Sequence, residues 1–154
     1  MNNELVTVIY FWKIKQRKVG FALLRMALDR GGLRRLHGVR FAKMLGSGKG
    51  ETFTPRDADI TRWGALVVIE QSQLAELDSS KLIKRWRKNS VDEVRYLVDP
   101  ISSHGLWAKV NPFDYAKSAA DGEVVAITRA RIKWAQNVRF WRAVPPVTSS
   151  LHSS

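Results

Sequence analysis

Two runs constrain the fold more than anything else in the chain. LVTVIYFW (5–12) and RWGALVVIE (62–70) are apolar at consecutive positions and rich in β-branched and aromatic residues. Both faces of each must therefore be buried, which is the signature of strands in the middle of a covered sheet. Between them, GFALLRMALD (20–29) places Phe21, Leu24 and Leu28 at helical spacing, with Leu23 and Met26 widening the apolar face. Gly31-Gly32 is expected to end or bend that helix. VRFAKML (39–45) alternates as a short strand, with Val39, Phe41 and Lys43 on one side and Arg40, Ala42 and Met44 on the other.

After the second central strand a helical rhythm resumes with Leu74, Leu77, Leu82 and Trp86. Asp78-Ser79-Ser80 divides it into a short helix and a second one capped by Ser79 or Ser80. VRYLV (94–98) adds a strand before Pro100. The order is β-α-β-β-α-β, which predicts the ferredoxin-like α+β plan: an antiparallel four-stranded sheet with helices on one face. Its other face needs a cover, from a second unit in the chain, a subunit or a ligand. The expected organisation is an α+β domain over 1–101, a linker over 102–123, and over 124–154 an incomplete second unit of one strand, one helix and a Ser-rich tail. Ile14-Lys15 and Val19/Phe21 recur weakly as Ile132-Lys133 and Val138/Phe140.

GSGKGETFTPR (46–56) invites a phosphate-loop reading, which the spacing refuses. A Walker loop needs Gly, four spacers, then Gly-Lys and a hydroxyl residue, whereas Gly48-Lys49 is followed by Gly50 and preceded five positions earlier by Lys43. Gly46, Gly48 and Gly50 alternate and lead into Thr52-Phe53-Thr54-Pro55, which reads as extended or turning backbone and not as the opening of a helix.

Acid-base and metal chemistry find little support. Glu51 is the one acid in this stretch, and Lys49 and Arg56 beside it favour the ionised form. No His/carboxylate spacing suits a metal. Cysteine is absent, which excludes thiolate catalysis and thiolate-held metal or heme. Twenty-six Lys and Arg against fourteen Asp and Glu give a charge of +12, a field that attracts nucleic acid or an anionic membrane leaflet. Specific nucleic-acid binding is not expected, because VRFAKML lacks the Gly and aromatic arrangement of base-stacking sheets. The N-terminus has neither a basic prefix nor a cleavable apolar segment, so a cytoplasmic location, at most peripheral to the inner membrane, is expected.

Three ordered segments, GVRFAKMLGSGKGETFTPR (38–56), DPISSHGLWAKVNPF (99–113) and ITRARIKWAQNVRFWRAVPPV (127–147), resemble the spheroidene monooxygenases of carotenoid biosynthesis and their bacterial relatives. The resemblance spans about residues 5–147, and implies a heme-containing oxygenase acting on an acyclic carotenoid with electrons from a ferredoxin-like donor. It points to Gly46, Gly48, Gly50, Glu51 and Thr54 as a loop motif, with Lys49 and Thr52 departing from the family pattern. It makes Arg40, Lys43, Arg56 and Arg129 candidates for the heme propionates, and His104 the histidine placed inside a matching segment. Trp107, Phe113, Phe140 and Trp141 are the candidates for an apolar substrate channel. Family chains continue into a complete second unit, so two further readings stand beside the enzyme: a non-catalytic or homodimerising α+β subunit, and a basic nucleic-acid-binding module.

Overall fold

The computed structural model describes residues 4–48, 58–107, 109–113 and 127. β1 (Leu5–Ile14) leads into α1 (Val19–Arg34), β2 (Val39–Gly48), β3 (Ala58–Glu70), the helix pair α2 (Leu74–Ser79) and α3 (Lys81–Asn89), and β4 (Ser90–Val98). The sheet order is β2-β3-β1-β4. β1 runs antiparallel to both neighbours, with Ile9 opposite Leu66 on one side and Tyr96 on the other. This is the ferredoxin-like arrangement, and the two runs that are apolar on both faces form its two inner strands. Apart from the last residue of β2 and the first two of β3, these elements lie in one of the two units into which the chain divides, Met1–Ser47 with Ile60–Ala119. Of the second unit expected over 124–154, residue 127 alone is described.

On the helix side, Val6, Val8, Tyr10, Trp12 and Ile14 of β1 alternate into a core with Ala65, Val67 and Ile69 of β3 and Ala22, Leu33, Leu77, Ile83 and Trp86 of the helices. An aromatic stack runs through it. Tyr10 lies 5.5 Å from Trp12, Trp12 lies 5.1 Å from Trp86, and Phe21 packs at 6.1 Å against Trp86. Each polar tip of the stack is satisfied, as burial requires. Trp12 donates to Glu93 at 2.8 Å, Trp86 donates to Asp29 at 2.9 Å, and the Tyr10 hydroxyl donates to Asp78 at 2.5 Å. Burial, and then the bond to the Asp78 carboxylate, push the Tyr10 hydroxyl above the usual tyrosine range, so it stays a donor.

Two sequence expectations are corrected here. α1 runs through Gly31-Gly32 to Arg34. Two helical glycines cost about 2 kcal/mol relative to alanine, but the last turn buries Leu33 completely, which returns about 1.5–3 kcal/mol. The face of α1 is also not the one the leucines suggested. Ala22, Met26, Asp29 and Leu33 face the core, while Leu23, Leu24 and Leu28 are 54%, 59% and 57% exposed. The helix carries apolar side chains on two sides, and the Asp29 cluster fixes which is inward. Asp29 is buried and accepts from Arg25 one turn away, from Arg85 at 3.2 Å and from Trp86.

The strands are longer than their patterns indicated. β2 continues through Gly46 to Gly48, so the start of the glycine-rich motif is strand and not loop. The break between α2 and α3 falls where expected. Ser80 is the cap, its hydroxyl accepting from the Ile83 N–H at 3.3 Å. Entry into β2 depends on Gly38, whose φ of +73° is open to glycine, and whose carbonyl ties the Glu70 N–H at 3.0 Å.

Candidate functional site on the open face of the sheet

The alternation that sends Tyr10 and Trp12 into the helix-side core sends Thr7, Ile9, Phe11 and Lys13 to the opposite face. There Ile9, Leu66 and Val68 are nevertheless buried. The chain itself supplies part of the cover. After β4 it returns across this face and makes a tight turn in which Trp107 and Val110 exchange backbone hydrogen bonds of 2.7 and 3.2 Å, with Lys109 at a φ of +73°. The Trp107 ring is seated edge-on against Phe41 at 6.4 Å and Phe113 at 5.7 Å. Trp107 and Phe113, both read from sequence as substrate residues, are thus brought together over Ile9, Leu66 and Val68.

The rest of the face is open. Phe11 lies beside Gly64 of β3 and meets Tyr96 of β4 edge-on at 6.4 Å. Phe11 is 37% and Tyr96 45% exposed, and Val94 and Ile60, on the same face by strand parity, are exposed as well. Gly64 makes this arrangement fit. A Cβ there would stand 2.7 Å from the Tyr10 carbonyl oxygen and 3.2 Å from the Phe11 ring. Gly64→Val is therefore expected to destabilise the fold by about 2–3 kcal/mol, as overpacking does, read as a lower urea midpoint at constant slope. An unchanged midpoint would mean that Phe11 does not need the space.

The polar candidates do not converge. Arg40 and Lys43 lie on opposite faces of β2 by parity. Arg40 pairs with Glu70 at 2.5 Å across the strand ends, and Lys43 is half-buried and engaged. His37, in the turn after α1, and His104, before the Trp107 turn, are both exposed. A heme needs an axial ligand with an apolar slot behind it, and neither histidine has one among the described residues. Tyr10 and Met44 point into the helix-side core. His37, His104, Tyr10 and Met44 therefore offer heme no fitted axial position, and the described residues contain no cluster of three or more potential metal ligands. Gly46 and Gly48 lie in β2, while Gly50, Glu51, Thr54, Arg56, Arg129, Phe140 and Trp141 lie outside the described residues. What the open face can do chemically is hold an elongated apolar molecule against aromatic rings.

A Cereibacter sphaeroides spheroidene monooxygenase is 31% identical over 148 residues, 94% of this chain, and the Rhodobacter capsulatus enzyme is 31% identical over 136 residues, 85% of it. A third, from Rubrivivax gelatinosus, is 34% identical over 116 residues. The chain belongs to the spheroidene monooxygenase family. It spans about half the length of these relatives, 45%, 56% and 45% in the same order. No family model matches the sequence. Among solved structures, a Nitrosomonas europaea protein provisionally named an antibiotic biosynthesis monooxygenase superposes with a TM-score of 0.50 at 13% identity, over 68% of this chain and 98% of that one. The Mycobacterium tuberculosis protein Rv0793 does so with 0.50 at 12%, over 66% and 100%. At such identities the likeness shows the fold alone, and that fold is the βαββαβ unit of this family member.

Sequence reasoning missed Phe11, Gly64 and Tyr96. The signal was present in the strand reading itself, because a run with both faces apolar requires something on the second face. No pattern within one strand says which neighbour stands opposite.

Proposed function

We propose that this chain is a monooxygenase-family α+β unit whose open sheet face binds an acyclic carotenoid or a similarly elongated apolar substrate. The observation that carries the reading is the exposed Phe11–Tyr96 strip continuing from the Trp107–Phe113 cap, in a family named for spheroidene oxidation. Aromatic and aliphatic walls suit a polyene, which offers few polar handles. Heme and a ferredoxin-like electron donor come with the family reading, and no step is assigned to residues of this chain through either. The exposed apolar strip also supports a second reading, in which a second copy of the chain covers the same face as a homodimer.

Titration with solubilised spheroidene separates the two. The expected result is saturable, near-equimolar quenching of tryptophan fluorescence, weakened at least about tenfold in Phe11→Asp because a charge in an apolar contact is costly. Quenching that never saturates, or that Phe11→Asp leaves intact, would remove the substrate reading. Sedimentation velocity showing a micromolar dimer, dispersed by the same substitution, would favour the second copy. Hemin titrated in parallel tests the heme that comes with the family: a defined Soret band at near-equimolar uptake would support it, through ligands other than His37, His104, Tyr10 and Met44, and behaviour like nonspecific adsorption would end the heme assignment for this chain.

A further inference from the structure

The outer surface of α1 is unusual for a helix packed on a sheet. Leu23, Leu24 and Leu28 are each more than half exposed, and Ala27 and two glycines share their side of the helix. Cations surround this patch. From Lys15 to Arg35 the sequence has seven Lys and Arg and one acid, Asp29, which is buried and bound to Arg25, Arg85 and Trp86. Arg30 and Arg35, at the C-terminal end, form no ion pair among the described residues. At the N-terminal end an open groove is lined by Lys15, Arg17, Lys18 and Lys88, together with Asn89 and the exposed Val91. Lys18 bonds the neutral Asn89 side chain at 2.7 Å, and none of the described residues lining the groove is an acid.

We propose that the outer face of α1, with this basic groove, docks the protein on the surface of an anionic bilayer. An in-plane helix with apolar side chains flanked by Lys and Arg gains from burying the leucines at the acyl boundary and from placing cations at the headgroups. Charge decides against the other occupants. A symmetric dimer through this patch would set cations against cations. The chain's own residues 128–154 carry Arg129, Arg131, Lys133, Arg139 and Arg142 and no acid, so they would meet the same repulsion. Nucleic acid would satisfy the cations and leave the leucines in water. The docking is independent of the substrate reading, since α1 and the open face lie on opposite sides of the sheet.

The absence of cysteine allows a direct test. Leu24→Cys, labelled with an environment-sensitive fluorophore, is mixed with vesicles of phosphatidylcholine alone or with about one-third phosphatidylglycerol. The expected result is a blue shift and cosedimentation with the anionic vesicles only. Leu24→Gln/Leu28→Gln should lower partitioning by about tenfold while leaving the thermal midpoint in place, because both side chains are exposed. Lys15→Ser and Lys88→Ser should each lower it by about fivefold. Equal binding to neutral vesicles, no binding to either, or retention of full binding by the glutamine pair would overturn the proposal. So would self-association, or a label shift on duplex DNA, in place of the vesicle response.

Discussion

Replacing Asp29 by alanine is expected to lower the unfolding free energy by about 3 kcal/mol, among the largest effects of any polar substitution in the chain. The carboxylate is buried where α1 meets α3, and it accepts from the Trp86 indole at 2.9 Å and from Arg25 and Arg85. Removing one side of a buried charge cluster commonly costs about 3–5 kcal/mol. Here the lower end applies, because both guanidinium groups reach water, with side-chain exposures of 21% and 38%. The indole N–H has no such relief, and a buried donor left unpaired costs about 1–3 kcal/mol. Urea unfolding of Asp29→Ala, Trp86→Phe and the double variant would resolve the terms. The double variant should cost less than the sum of the singles by about 1 kcal/mol or more. Strict additivity would show that Asp29 and Trp86 do not stabilise each other.

Trp12→Ala should cost about 3–5 kcal/mol, the range for deleting a buried large aromatic. Trp12 is stacked on Tyr10 and Trp86, and its N–H bonds Glu93 of β4. It therefore joins both layers and two strands at once. A domain of this size has a total stability of about 5–15 kcal/mol, so the loss should be visible as a shift of many degrees in the thermal midpoint. Trp12→Phe keeps a ring in the stack and gives up the bond to Glu93, and is expected to lose about 1–2 kcal/mol. If the phenylalanine variant were as unstable as the alanine variant, the hydrogen bond to Glu93 would be the important part and not the stack.

The two inner strands, the order of elements and the break within Asp78-Ser79-Ser80 were legible because each rests on local chemistry. A strand that is apolar on both faces has nowhere to go but between neighbours, and a serine hydroxyl at the right distance from an orphan N–H ends the uncertainty about where a helix begins. The three ordered motifs likewise carried the family, and the comparisons uphold it. Local chemistry was silent on α1, where leucines on one side and Ala22, Met26, Asp29 and Leu33 on the other compete for the core. Periodicity favoured the leucines. Burial favoured the side whose one polar residue finds three donors, two of them on α3, more than fifty positions away.

The candidate site was legible only as a set of residue types. Trp107 and Phe113 were named from the linker, but their place over Ile9, Leu66 and Val68 depends on where the chain travels after β4. Arg40 and Lys43, three apart in a matching motif, were both candidates for the heme propionates although the strand alternation already read them to opposite sides. The pleat of β2 sends them to opposite faces, since odd separations along a strand always do. Sequence by itself determined the ferredoxin-like plan and the family, because hydrophobic period and motif order are properties of the chain read along its length. Tertiary structure alone decided which side of α1 is exposed, that Phe11 finds room beside Gly64 and meets Tyr96, and that the turn after β4 covers part of the open face. Each of those is settled by a contact between residues distant in sequence, whose energy no local pattern records.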